Sequence, residues 1–284
     1  MTVERLEMAL SIHPWLRDHH FAGQTVLPMV TAIDFLAALT LEKFQEIDGI
    51  QLENAIFGKL LILPEDDTLP VLVELEWLDE KRLRAALLTR KSGAISRLLH
   101  HAEVIFTNRK KKPESPPVAW MDEKARGSGR VIACEKIYAE LVPFGNNFRT
   151  LHGDLYLLGD TASGTLIAPD LPFSCPALPH PLLLDGAMHA ACVHGQSFCD
   201  FVPFPVAFAA MEWENTKFLQ RPGYVYETEC RLTTKAVGEL HYDLRVWGNG
   251  GIINVSGLVM RDVSGGIIKP PAWIWEKEKK QMGK

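Results

Sequence analysis

The clearest hydrophobic pattern in the first half of the chain begins at Pro28. From Met29 through Ile33, Leu36 and Leu41 to Phe44, apolar side chains fill one broad side of a helical wheel, which predicts a helix over about 28–46. A proline suits the first turn, because its missing N–H would have no partner there. Runs rich in Leu, Val and Ile follow at 52–63, 70–78, 82–90 and 95–107. They are separated by polar turn residues such as Glu65-Asp66-Asp67 and read as strands. Residues 109–130 are basic, then proline-rich, then Gly-Ser-Gly, and read as a linker. The second half repeats the theme. A short helix is predicted at 134–141, strands at 150–158 and 161–168, and a long apolar helix at 181–198. Further strands are predicted at 208–218, 224–234, 239–247, 251–261 and 267–274. Each half therefore holds one long apolar helix and several antiparallel-looking strands, an α+β pattern in which a sheet curls around a central helix. The expected division is 1–108, a linker at 109–130, and 131–284.

Composition narrows the function classes. The chain has 284 residues and a formal net charge of -5, and its dense basic run is confined to the linker, so no surface suited to nucleic acid is expected. No apolar stretch is long enough to span a bilayer, and the first residues lack the pattern of a secretion signal. The five cysteines are scattered without a CxxC pair, which argues against a disulfide framework or a structural zinc site and fits a reducing cytoplasm. The histidines at 13, 19 and 20 lack an acidic or cysteine partner at ligand spacing, so no metal is expected there.

Candidate chemistry gathers in two places. In the first half, His19 precedes a loop containing Gly23, and Pro28 then opens the long helix. A helix start offers unpaired N–H groups that can polarise a carbonyl, a neutral imidazole can take a proton, and a glycine allows a close approach to ligand. A loop histidine alone is nevertheless more often structural than catalytic, and His13 and His20 are as well placed by composition. In the second half, Asp185 and His189 lie four apart and share one face of an apolar helix. An aspartate there is costly unless it is paired or functional, and desolvation favours the neutral acid. A first-turn carboxylate favoured by the helix dipole, or a local Asp–His pair, explains it equally well.

Together these segments resemble polyketide synthase dehydratase domains. His19, Gly23 and Pro28 fit the pattern HxxxGxxxxP, with His13-Pro14-Trp15-Leu16 and Asp18 before it and Asp34 on the following helix. His180-Pro181, Leu183-Leu184-Asp185 and His189 fit HPxLLDxxxQ/H. Phe144-Gly145-Asn146-Asn147-Phe148 resembles the family's YGPxFQ region, with Phe144 in place of the tyrosine and Asn146 in place of the proline; a phenol near the site is lost. Met29 stands where many members have glycine. The segment Val202–Phe208 is similar to an LPF-type strand of the family.

The resemblance implies a double hot dog, two antiparallel sheets each wrapped around a long central helix. It implies removal of water from a 3-hydroxyacyl thioester, with His19 as general base, Asp185 as general acid and His189 helping to orient the hydroxyl. Gly23, Pro28, Met29, Gly145 and Phe148 would meet the substrate. No metal or cofactor is implied beyond the phosphopantetheine arm that carries the substrate. The implied partners are an acyl carrier protein and other synthase domains, with a homodimer also compatible. The chain would be an excised domain or a stand-alone subunit, its charged tail at 276–284 fitting a linker end. A product-template-like cyclase using the same pair, a hot-dog thioesterase, and a catalytically silent acyl-binding domain remain alternatives.

Overall fold

The computed structural model describes residues 3–44, 50–91, 97–108, 119–214 and 216–275. In the first half, β1 (Val3–Ser11) leads through a 3-10 turn (Pro14–Asp18) to a small hairpin of β2 (His20–Phe21) and β3 (Gln24–Thr25). Helix α1 (Met29–Thr40) follows, then β4 (Ile50–Phe57), β5 (Thr68–Trp77), β6 (Arg82–Lys91) and β7 (Arg97–Asn108). The second half contains α2 (Glu123–Arg126), β8 (Arg130–Ala133), α3 (Cys134–Lys136), β9 (Leu151–Leu158), β10 (Thr161–Ile167) and α4 (Pro181–Gly195). It ends with β11 (Phe204–Glu214), β12 (Val225–Ala236), β13 (Glu239–Gly248) and β14 (Gly251–Arg261).

Both long helices form where the apolar periodicity places them, and both end early. Helix α1 stops at Thr40, whose hydroxyl bonds back to the Leu36 carbonyl, and a 3-10 turn at Leu41–Lys43 follows. Residues 45 and 46 of the predicted helix lie outside the described residues. Every residue of α4 is buried. That requires apolar or small side chains on all its faces, and the sequence supplies them, including Gly186, Ala187, Ala190, Ala191 and Gly195. The helix begins with His180 as N-cap and Pro181 in the first turn. Nε2 of His180 reaches the Pro169 carbonyl at 2.9 Å, which must accept, so that nitrogen carries the proton and Nδ1 is free to accept from the Leu182 N–H at 3.3 Å.

Twelve of the fourteen strands form one continuous antiparallel ladder, ordered β1-β5-β6-β7-β4-β11-β14-β13-β12-β10-β9-β8, and β2 and β3 pair by themselves. The two expected antiparallel sheets, one for each long helix, run together in this ladder at β4 and β11. Strand β4 pairs with β11, Phe208 lying opposite Ala55 and Met211 opposite Leu52, so the two wrapped helices share one backbone ladder. Joining them satisfies an edge in each half that would otherwise be left open. Period-two burial is plain in β13, where Leu240, Tyr242, Leu244 and Val246 face inward.

Other boundaries shift for physical reasons. The predicted strand over 52–63 ends at Phe57, although the Gly58 and Lys59 N–H groups still donate to the His101 and His100 carbonyls at 3.0 Å. Residues beyond it pair instead with the end of the hairpin: the Leu27 N–H donates to the Leu61 carbonyl and the Leu63 N–H to the Thr25 carbonyl. The predicted strand at 267–274 is absent. Pro270 and Pro271 cannot donate to a ladder, and a 3-10 turn forms at Ala272–Trp275. Strand β1 escaped the sequence reading although Leu6, Met8 and Leu10 alternate inward, and β8 starts at the last residue of the expected linker. The part of that linker at 109–118 and the charged tail lie outside the described residues.

Small residues let α4 sit close to the sheet. A Cβ on Gly186 would lie 2.3 Å from the Thr150 hydroxyl oxygen and 2.7 Å from a Leu166 methyl. Gly186→Ala is expected to lower unfolding free energy by about 1–3 kcal/mol. Urea midpoints with an unchanged m-value check this, and an equal midpoint would show that the helix can retreat without cost.

Candidate active site

A cavity of about 230 Å³ opens between the two helices and the strands that join the halves. Its walls are largely apolar, with Leu27, Met29, Leu87, Met188, Cys192 and Phe204 among the lining residues. His19, Asp185 and His189 also line it. The first of these comes from the loop before α1 and the other two from α4, so the fold brings together the candidate residues of both halves.

His19 caps the 3-10 turn at Pro14–Asp18 and is half-buried. Its Nδ1 lies 3.0 Å from the Val26 carbonyl. A carbonyl only accepts, so Nδ1 carries the proton and Nε2 keeps its lone pair. Burial pulls the ring down to about 4, against the raising pull of the nearby Asp185 and of the Val26 carbonyl. The imidazole is therefore neutral near pH 7, as a proton acceptor must be. Phe144 and Phe148 pack on it with centroids at 4.4 and 5.1 Å.

Asp185 is 8% exposed. Its Oδ2 lies 3.0 Å from Nε2 of His189, yet the angles do not make a hydrogen bond, and both atoms are buried without a partner. Buried polar atoms are nearly always paired, so two adjacent unpaired ones on a cavity wall suit a hydroxyl or water that brings its own donor and acceptor. On its other side, Nδ1 of His189 faces the Tyr138 hydroxyl at 3.3 Å, and Phe144 stacks against the ring at 5.2 Å. A phenol thus stands beside His189 in Tyr138, from the turn that precedes Phe144. The sequence showed an apolar helical segment there, and no motif marked the tyrosine.

The remaining candidates have different places. Met29 lines the cavity, whereas Gly23, Pro28, Gly145 and Phe148 are not among its lining residues, and Gly23 is exposed. Gly23, with φ 79, and Ala22, with φ 48, form the tight turn of the β2–β3 hairpin. Pro28 is the N-cap of α1. Phe148 is fully buried and packs on His19. Gly145 is where the halves meet. Its N–H donates to the Asp18 carbonyl at 2.9 Å, and a Cβ there would lie 2.3 Å from the Asp18 carboxyl carbon. The Asp18 carboxylate also accepts from the Asn147 backbone N–H at 3.0 Å and from its side-chain amide at 2.7 Å. Asp34 on α1 makes a similar link, accepting from the Ser174 and Cys175 N–H groups at 2.7 and 3.0 Å. Burial raises its carboxyl above the usual range, and those two N–H bonds oppose the rise.

Among the described residues, no group of three or more His, Cys, Asp or Glu side chains is placed to share a metal ion. His13 stacks on Trp15, with centroids 6.1 Å apart, and His20 is exposed in β2. All five cysteines are free thiols. No helix is long and apolar enough to cross a membrane among the described residues.

Residues 3–90 match the family model described as polyketide synthase dehydratase domain. That first part of the chain is similar to polyketide synthase dehydratase domains. Over 198 residues, 67% of this chain, it is 28% identical to the spectinabilin polyketide synthase system protein NorA of Streptomyces orinoci, and it spans 10% of that protein's length. Solved structures carry the fold likeness across both halves. A trans-AT polyketide synthase dehydratase domain from Brevibacillus brevis superposes with TM-score 0.74 at 17% identity, covering 92% of this chain and 94% of that one. The dehydratase domain from the CurF module of curacin polyketide synthase gives 0.73 at 14% identity, covering 91% and 92%. A bifunctional dehydratase-cyclase domain from ambruticin biosynthesis gives 0.67 at 18% identity, covering 91% of each. The chain has the double hot dog fold of polyketide synthase dehydratase domains.

Three buried histidines, His19, His180 and His194, are held down at about 4 by desolvation. The unfolded chain, with histidines near ~6.5, binds more protons than the dehydratase fold between those values. Stability from this source is complete above about pH 6.5 and is lost as pH falls toward 4. Urea midpoints should drop between pH 7 and pH 5, and a midpoint that stays level would contradict the burial of neutral rings.

Proposed function

We propose that this chain dehydrates a 3-hydroxyacyl thioester to the enoyl thioester, with His19 as general base and Asp185 as general acid. The observation that carries the reading is the convergence, on one apolar cavity, of a neutral imidazole from one half and an unpaired buried carboxyl from the other. The Val26 carbonyl holds the Nδ1 proton, so Nε2 of His19 takes the proton from C2. The thioester oxygen gathers negative charge as that proton leaves. The first-turn N–H groups of α1, at Met29 and Val30, have no carbonyl within the helix to bind, and they are the donors suited to it. Asp185 delivers a proton to the C3 hydroxyl, which departs as water while the C2–C3 double bond forms. His189 orients the hydroxyl against Asp185. Exchange with solvent returns His19 to its neutral form and Asp185 to its acid form.

The substrate reaches the cavity on the phosphopantetheine arm of an acyl carrier protein, and the apolar walls take the acyl chain. The likeness to a bifunctional dehydratase-cyclase favours one further outcome, ring closure on the enoyl product in the same cavity.

Purified protein is to be incubated with 3-hydroxyacyl thioesters on carrier protein and on pantetheine. A loss of 18 mass units is expected. His19→Ala and Asp185→Asn should each lower the rate by roughly 10²–10⁴-fold, the span of general acid–base steps. Tight acyl binding without water loss would replace the reading with a silent binding domain, and a cyclic product would extend it to a cyclase.

A further inference from the structure

Tyr138 lies in a widened, π-helical turn at Ile137–Leu141 and is 4% exposed. Such widened turns are rare and recur at functional sites. The phenol oxygen accepts the Leu151 backbone N–H at 2.8 Å. An amide N–H only donates, so this bond leaves the phenol's own proton for another partner. That partner is Nδ1 of His189, 3.3 Å away, with the two rings meeting edge-on at a centroid distance of 5.9 Å. The Thr150 hydroxyl stands beside the phenol and is itself buried without a hydrogen-bond partner. Burial pushes the phenol's ionisation up, so it holds its proton throughout the working pH range.

We infer that Tyr138 is a positioning residue whose hydroxyl donates to Nδ1 of His189 and holds that imidazole in the Nε2–H tautomer. The tautomer decides what Asp185 meets. An N–H at Nε2 faces Oδ2 at 3.0 Å, off the line of a hydrogen bond, and its positive end favours the acid proton on the other oxygen. The opposite tautomer would set two lone pairs against each other at that distance. Tyr138 thus acts on the substrate only through His189 and Asp185, and the kinetic part of this inference rests on the dehydratase reading. The tautomer itself does not.

The test is nitrogen NMR of the full chain with ¹⁵N-labelled histidine and no substrate, with His189→Gln assigning the signal. The wild-type His189 should show a protonated Nε2 and an unprotonated Nδ1. Tyr138→Phe keeps the ring and removes the donor. It should shift His189 toward the other tautomer and lower kcat by about 10–100-fold, the usual effect of losing a group that orients an active side chain, with KM unchanged. A proton on Nδ1 in the wild type overturns the inference, as do unchanged His189 signals in Tyr138→Phe. If that variant does not fold, the wild-type spectrum alone decides. A tautomer shift in a protein that removes no water would leave the Tyr138 assignment standing and the dehydratase reading failed.

Discussion

The site depends on one carboxylate that is not itself in the cavity. Asp18 belongs to the first half; its carboxylate accepts two hydrogen bonds from Asn147 of the second, and its main-chain carbonyl accepts one from the Gly145 N–H. Hydrogen bonds to a charged group are worth roughly 1.5–3 kcal/mol each, and here they also fix position. His19 is the next residue along the chain. Phe144, next to Gly145, packs between the rings of His19 and His189. A shift at the Asp18 clasp would therefore move the histidine, the phenylalanine and the acid helix relative to one another. Asp34 makes a second latch at the loop leading into α4, and the β4–β11 ladder makes a third along the sheet. The cavity lies among these joints, which explains how residues far apart in sequence come to face one cavity.

Electrostatics follow from the same closure. Excluding water neutralises His19 and strips partners from Asp185 Oδ2 and His189 Nε2. Protein interiors tolerate few such orphans. A substrate hydroxyl would supply both a donor and an acceptor to them, so the cost of leaving them unpaired in the empty cavity is offset on binding. The apolar lining adds nonspecific attraction for an acyl chain and leaves the polar atoms to set its orientation.

The helices and most strands were legible because their apolar periods are strong. The long run before Phe44 and the wholly apolar segment after Pro181 had few other solutions. Boundaries shifted where tertiary contacts decide: Leu61 and Leu63 bond to the chain around β3 instead of extending β4, and the last predicted strand fails because two prolines cannot donate. The union of the sheets was invisible, since edge pairing between β4 and β11 leaves no mark in either segment alone. At the site, the motif positions His19, Asp185 and His189 converge. Gly145 has a structural role that its motif does not reveal, its hydrogen-sized side chain accommodating Asp18. Nothing in its own segment marks Tyr138, because its hydroxyl meets His189 only through a turn that the chain makes in three dimensions.

The central claim is that the halves present a base and an acid to opposite ends of one C2–C3 bond. The most direct measurement is a crystal structure of His19→Ala with a 3-hydroxyacyl pantetheine thioester bound. The account predicts the C3 hydroxyl within hydrogen-bonding distance of Asp185 and His189, and C2 facing the space vacated by the imidazole. A hydroxyl turned away from α4, or an acyl chain lying outside the cavity, would contradict it.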